Sequence, residues 1–218
     1  MQRKKGLIVA DGWPILLVLG VLTIATVSWG GWKAGLLPLL LVLFTLFFFR
    51  NPPRKISAAD DEVVSPADGV VLAVEEVQEE NYMHSPAIKV SIFLNVFNVH
   101  VNRTPITGVV DFLHYRPGRF LPAFKSHASE LNERNYVGIR SMKDPALTVL
   151  VVQITGFIAR RIACWVKEGD ALKQGELFGM IKFGSCTEIY LPKTTEVYVK
   201  KGDKVKGGVS IIGRLHNE

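Results

Sequence analysis

The sequence predicts a mainly β body of the α+β class, carried behind an N-terminal hydrophobic helical hairpin. Two observations on composition and one on repetition predict it. Residues 13–49 are almost wholly apolar, with Lys33 as the only charge. From Asp60 onward, β-branched runs alternate with Gly, Asp and Pro turn signals. A strand–turn–strand unit that starts at Trp165 starts again at Tyr198.

The hairpin comes first. A single membrane span needs about 20 apolar residues, and the run from Trp13 to Phe49 is nearly twice that long. Gly30, Gly31 and Lys33 break it near the middle, so two short helices joined by GGWK are expected. Arg3, Lys4 and Lys5 flank one end; Arg50, Arg54 and Lys55 flank the other. The excess of positive charge at both ends places both on the cytoplasmic side of the cell (inner) membrane. Trp13, Trp29 and Trp32 fall where interfacial aromatics belong. A re-entrant hairpin within one leaflet is the other reading, because each half is short and Pro38 interrupts the second. Asn51-Pro52-Pro53 stops the helix, since a residue before proline leaves the α region. The expected division is an anchor over 1–55 and a body over 56–218.

In the body, EVVSPADGVVLAVEEV reads as strands around a Pro-Ala-Asp-Gly turn. AIKVSIFLNVFNVHVNRT reads as one long strand, and ALTVLVVQITGFIARRIACWV as another with Gly156 as a bulge. A helical pattern occurs only around Phe120–Glu133. Residues 1–55 hold seven Lys or Arg and one Asp, and the rest holds 19 of each sign. The basic excess thus belongs to the hairpin, which suits an anionic membrane surface and argues against a nucleic-acid partner, whose basic patch would lie on the folded body. Cys164 and Cys186 make neither a metal spacing nor a disulfide framework, and the five histidines are scattered, so no metal site is expected.

The repeated unit aligns WVKEGDALKQGELFGMI (165–181) with YVKKGDKVKGGVSIIGR (198–214). Two such units face to face resemble the barrel-sandwich core of biotinyl and lipoyl carrier domains, which present a modified lysine in a tight hairpin. Between the units here stands FGSCTEIYLP (183–192), with Lys182 just before it. Ser185 is therefore either a hairpin residue or a reacting group, and a membrane-anchored, lipoyl-like adaptor carrying an adduct on Lys182 is one reading of the chain.

SPADG (65–69), FNVHVNRTPITG (97–108) and FGSCTEIYLP, with RPGRFLPAF, NERN (132–135) and GFIARRI (156–162), follow one another in an order that resembles the phosphatidylserine decarboxylase proenzymes, in their short membrane-anchored form. The resemblance covers about residues 50–215. It implies an enzyme that makes its own cofactor: the chain cuts itself at Gly184–Ser185 and Ser185 becomes a covalent pyruvoyl group. Residues 1–184 become the β chain and 185–218 the α chain. The pyruvoyl ketone would form a Schiff base with phosphatidylserine and release CO2 and phosphatidylethanolamine. Archaetidylserine, with ether-linked tails, is the alternative substrate, since tail contacts are generic apolar surface.

A serine hydroxyl is a weak nucleophile until a base takes its proton. By the resemblance, His100 is that base and Asp68 the carboxylate that orients it, in the manner of a hydrolase triad. Arg160 and Arg161 are the candidates for the substrate's phosphodiester and carboxylate, because guanidinium binds both in bidentate fashion; adjacent strand residues face opposite ways, so one of the two at most lines the site. Phe97 departs from the longer members, which carry a second histidine there. Cys186 stands where Thr or Ser is usual. His114 and His127 have no motif support. A homo-oligomer is compatible with all of this.

Overall fold

The structure, a computed structural model, describes residues 6–121, 131–156, 161–182 and 185–216. Its contacts divide the chain into two units, Met1–Pro53 and Arg54–Glu218.

In the first unit, a 3-10 turn (Ala10–Gly12) leads into helix α1 (Trp13–Ala34), followed by α2 (Leu36–Phe48). Pro14 lies in the first turn of α1, where its missing N–H has no helical partner to lose. Gly31 leaves the helical conformation (φ 74°, ψ 174°), so the chain does break inside the predicted GGWK joint. At Gly35 a Cβ would lie 2.2 Å from Val27 Cγ2, so only glycine permits the two helices to approach there. Pro38 falls in the first turn of α2 and starts that helix instead of interrupting it. The base of the hairpin is closed by backbone bonds from Val9 N–H to Phe49 O (3.0 Å) and from Asn51 N–H to Leu7 O (2.6 Å). Segment Ala10–Ala34 is long and apolar enough to cross a membrane. The 13 residues of α2 reach about 20 Å, short of the roughly 30 Å hydrocarbon core.

The second unit is mainly β, as predicted. Its strands are β1 (Glu62–Val64), β2 (Gly69–Glu79), β3 (Ser85–Leu94), β4 (Val101–Arg103), β5 (Gly108–Arg116), β6 (Arg134–Ser141), β7 (Thr148–Ile154), β8 (Arg161–Cys164), β9 (Ala171–Leu172), β10 (Leu177–Lys182), β11 (Ser185–Pro192), β12 (Glu196–Val197), β13 (Lys204–Val205) and β14 (Ile211–Arg214). The large sheet runs β13-β2-β3-β11-β7-β6-β5-β9, and smaller sheets run β4-β10-β8 and β1-β14-β12. Along β11, Ile189 and Leu191 join the core with Val90, Val151 and Phe178. Period-two alternation then puts Ser185 and Thr187 on that same inner face, and Cys186, Glu188 and Tyr190 on the other.

Two long runs read as single strands are divided. The run 87–104 is β3 and β4, separated by a turn that two asparagine side chains cap: Asn95 N–H donates to Asn98 Oδ1 (2.9 Å), and Phe97 N–H donates to Asn95 Oδ1 (2.9 Å). The run 146–166 ends as β7 at Ile154, and Gly156 stands past that end, not in a bulge. There Thr155 turns its backbone N–H and its hydroxyl to Glu133 O (3.0 and 3.2 Å). Most of the helical pattern over 120–133 lies outside the described residues.

The body is built twice. SPADGVV (65–71) recurs as TPITGVV (104–110), and each copy receives one of the two C-terminal repeats. Val71 N–H donates to Asp203 O and Val110 N–H to Asp170 O, both at 2.9 Å. Gly69 pairs with Val205 and Gly108 with Leu172. A Cβ on Gly69 would meet Phe93 O at 2.2 Å, and one on Gly108 would meet Arg140 O at 2.5 Å. Ser65 Oγ donates to Ala67 O (2.7 Å), as Thr104 Oγ1 does to Ile106 O (2.9 Å).

Candidate active site

The motif segments meet around the start of β11. Ser185 pairs with Leu94 at the end of β3, and Cys186 with Phe93. Phe93 in turn pairs with Val70, which places Asp68 and Gly69 at that same end of the sheet. The segment 97–108 joins through His100 O, which accepts from Ile181 N–H (3.2 Å) on the strand that leads to Ser185. Ser185 and His100 are both fully buried.

Ser185 does not sit in a hairpin. β10 pairs with β4 and β8, whereas β11 pairs with β3 and β7, so the chain changes sheet between Lys182 and Ser185. That removes the tight lysine-bearing hairpin on which the adaptor reading depends. The Ser185 hydroxyl makes no hydrogen bond to the described residues, although it is buried. A buried hydroxyl without a partner costs about 1–3 kcal/mol, so this serine is not held for stability.

His100 lies at the end of the β3–β4 turn, with Nε2 3.1 Å from Asn95 O. A carbonyl only accepts, so Nε2 carries the proton and Nδ1 is the acceptor nitrogen of the neutral ring. Asn95 is the residue after Leu94, the partner of Ser185, so one turn carries both the imidazole and its tether.

Asp68 is placed differently from a simple triad. Its Oδ1 accepts from Gly207 N–H (2.8 Å) and from Arg54 Nη2 (3.1 Å), and Oδ2 accepts from the same Nη2 (2.8 Å). The carboxylate therefore bonds Arg54 and a backbone N–H, not the imidazole. Both side chains are well shielded, Arg54 at 11% and Asp68 at 14% exposure. Arg103 stands nearby on β4, donating to Gly175 O (2.9 Å). Burial lowers the pKa of Arg103 below its ordinary value; Arg54 adds to that and Asp68 opposes it.

A chain of buried side-chain amides ties the motifs together. Asn135 Nδ2 donates to Gln153 Oε1 (3.0 Å), Gln153 Nε2 to Asn102 Oδ1 (2.9 Å), and Asn102 Nδ2 to Thr187 Oγ1 (3.1 Å) and to Pro66 O (3.4 Å). Asn102, Gln153 and Thr187 are fully buried. Gly179 makes room for the chain, since a Cβ there would lie 2.7 Å from Gln153 Nε2. Asn132, of the NERN segment, donates to Leu121 O (2.8 Å) and Thr155 O (2.7 Å) and accepts from Leu121 N–H (2.7 Å).

Of the remaining predicted residues, Gly184 and Arg160 lie outside the described residues. Arg161 is exposed and pairs across the strand with Lys182, at the end of β10 that leads to Ser185. Phe97 is 69% exposed in the β3–β4 turn. Cys186 is buried, and burial, aided by Glu188, raises the pKa of its thiol. His114, on β5, belongs to a run of rings with Phe112 and Tyr136, and β7 and β6 separate β5 from β11 in the sheet order. Among the described residues no His, Cys, Asp and Glu group could hold a metal ion.

Comparison with known proteins agrees with the order of the motifs. The family model described as phosphatidylserine decarboxylase matches residues 41–213. The chain belongs to the phosphatidylserine decarboxylase family. A phosphatidylserine decarboxylase proenzyme of Carboxydothermus hydrogenoformans is 61% identical over 206 residues, 94% of this chain and 95% of that protein. Proenzymes of the same description from Symbiobacterium thermophilum and Syntrophus aciditrophicus are 44% and 46% identical, over 98% and 97% of this chain and 98% and 99% of theirs.

Arg54 and the Asn135–Gln153–Asn102–Thr187 chain escaped the sequence reading of this family member. Isolated Asn, Gln and Arg residues carry no spacing signature of their own. The likeness of SPADGVV to TPITGVV was a legible signal, and it marks position 68 as the place where one copy has a charge and the other has Thr107.

Proposed function

We propose that this chain is a self-processing phospholipid decarboxylase that converts phosphatidylserine to phosphatidylethanolamine and CO2, with a pyruvoyl group made from Ser185. The observation that carries the reading is Ser185 itself: a buried hydroxyl that bonds no described residue, at the first position of a strand, where the chain changes sheet.

The residues fit the formation of that group. His100, through Nδ1, takes the proton from Ser185 Oγ, which attacks the Gly184 carbonyl carbon. The Gly184–Ser185 peptide C–N bond breaks as the ester C–O bond forms, and the proton passes to the new amine. Loss of the Ser185 Cα proton with departure of the Gly184 carboxylate from Cβ leaves a dehydroalanine. Water then replaces its nitrogen, released as ammonia, and leaves the ketone. The Asn95 carbonyl holds the imidazole in the tautomer this needs. Asp68 supplies the negative charge that favours an imidazolium. When present, the pyruvoyl group is an electron sink for the carbanion left when CO2 departs. Arg160 and Arg161 are the candidates for holding the substrate's phosphate and carboxylate. The N-terminal hairpin anchors the body at the cell (inner) membrane, on the cytoplasmic face, and so keeps it beside its lipid substrate.

The test is the intact mass of purified protein and of Ser185→Ala under denaturing conditions. The parent is expected as two chains split at Gly184–Ser185, the smaller beginning in a ketone, and Ser185→Ala as one inactive chain. An active, uncut Ser185→Ala protein would overturn the proposal.

A further inference from the structure

We infer that Arg54 is a positioning residue for self-cleavage, acting through the Asp68 carboxylate; this rests on the proposed role of Asp68 above. The internal duplication supplies a control within the molecule. At the equivalent place in the second copy, Thr107 Oγ1 accepts from Gln174 N–H (3.1 Å), just as Asp68 Oδ1 accepts from Gly207 N–H (2.8 Å). Capping that backbone N–H is thus the structural task of the position, and an uncharged hydroxyl performs it. The negative charge at 68 is additional to what the loop requires. A shielded carboxylate is costly unless paired and hydrogen-bonded, and the pairing comes from Arg54, the first residue of the body.

The bonding pattern suits orientation. A carboxylate has about four acceptor positions. Gly207 N–H and Arg54 Nη2 occupy both positions on Oδ1, and Nη2 occupies one on Oδ2. One position on Oδ2 stays open, so the carboxylate keeps a charge that can favour an imidazolium at His100 without bonding it. Because a single nitrogen straddles both oxygens, the carboxylate is fixed in its plane without both faces being blocked. Among the described residues Arg103 from β4 also faces Asp68, but acts on it across space, whereas the bonds that Asp68 accepts come from Arg54 and Gly207. Arg54 is therefore the cation that sets the carboxylate's direction.

The experiment follows self-cleavage of freshly synthesised full-length chain in phospholipid vesicles, for the parent, Arg54→Gln, Arg54→Lys, Asp68→Asn and the double variant Arg54→Gln/Asp68→Asn. Displacing an orienting group costs on the order of 10–100-fold, and that slowing is expected for Arg54→Gln well below its own melting transition, which the unpaired Asp68 lowers. Arg54→Lys should restore most of the rate, since an ammonium can also straddle two oxygens. In the Asp68→Asn background, Arg54→Gln should change nothing further. An Arg54→Gln rate equal to or above the parent's, or the same slowing with and without Asp68, overturns the inference. If Arg54→Gln does not fold, Arg54→Lys decides alone: near-parental cleavage supports the inference, and a natively melting Arg54→Lys as slow as Asp68→Asn overturns it. Parental cleavage in Asp68→Asn instead removes the proposed role of Asp68, and the inference with it.

Discussion

Asp68 and Thr107 cap equivalent backbone N–H groups in the two copies of one loop, and the difference between them separates folding from chemistry at a single residue. Replacing Asp68 by Thr together with Arg54→Gln leaves the cap in place and strands no shielded guanidinium. This double variant is expected to melt within a few degrees of the parent and to slow self-cleavage by about 10²–10⁴-fold, the range spanned by general-base catalysis and by the orienting carboxylate of a triad. Thermal melting and the cleavage rate check the two halves of that statement; a fast-cleaving variant would remove the charge from the mechanism. Cys186 gives a second residue-scale expectation. Burial, aided by Glu188, raises its thiol pKa, and the thiolate is the reactive form. Iodoacetamide at pH 8.5 should therefore leave Cys186 unmodified in the folded chain and alkylate it after denaturation, read by peptide mass. Native labelling would show that Cys186 is reached by solvent.

At the scale of elements, the buried amide chain links β4, β6, β7 and β11, and each link uses a donor and an acceptor that apolar neighbours cannot replace. Gln153→Leu would strand Asn135 Nδ2 and Asn102 Oδ1 in a buried place. At about 1–3 kcal/mol per stranded group, the expected loss is roughly 2–6 kcal/mol, together with slower self-cleavage because Asn102 also fixes Thr187 and Pro66. Equilibrium unfolding measures the first, and unchanged stability would show that the chain is not closed in solution. On the outer face of β11, burial raises the Glu188 carboxyl above its ordinary 4.5, with Lys89 opposing. The folded chain then holds that proton more tightly than the unfolded chain, so the stability it lends is present below about 4.5 and is lost as pH rises toward the raised value. Glu188→Gln should thus gain on the parent in melting temperature as pH rises from 4 to 8, and a relative loss over that range would reverse the assignment. These elements show what was legible. Alternating β-branched runs announced the strands, and GGWK announced the break in the hairpin. The Asn95–Asn98 turn was hidden inside an apolar run, because its two asparagines cap backbone N–H groups within the turn without a Gly or Pro to mark the place. The path from Lys182 to Ser185 was equally hidden, since a Gly-Ser pair between two strands reads as a hairpin whether or not the strands pair.

At the scale of the whole molecule, the fold bears on whether a chain cut at the proposed place, between residues 184 and 185, would remain folded. The repeat at 165–181 was visible in the sequence, but its docking partner was not, because the likeness of SPADGVV to TPITGVV does not say which distant strand each copy pairs with. The second repeat, which follows Ser185, docks on SPADGVV, so the segment after Ser185 reaches beyond β11 into the body. β11 is hydrogen-bonded on both sides, to β3 from Ser185 to Pro192 and to β7 from Cys186 to Tyr190. β13 closes on β2, and β14 lies between β1 and β12. Ile189, Leu191, Val205 and Ile212, all from this segment, are buried in the common core. Burying one such side chain contributes about 1.5–3 kcal/mol, so these four alone oppose dissociation by roughly 6–12 kcal/mol. Cutting one peptide bond at 184–185 removes none of these contacts. Self-cleavage is therefore expected to yield two chains that co-migrate in native size exclusion in detergent and separate only in strong denaturant. The chain ending at residue 184 should not fold when made alone, because β3 and β7 would both lose the strand between them. A small chain that is lost on dilution without denaturant would show that β11 is not the central strand of the mature protein, and would move the cut away from the place proposed for it.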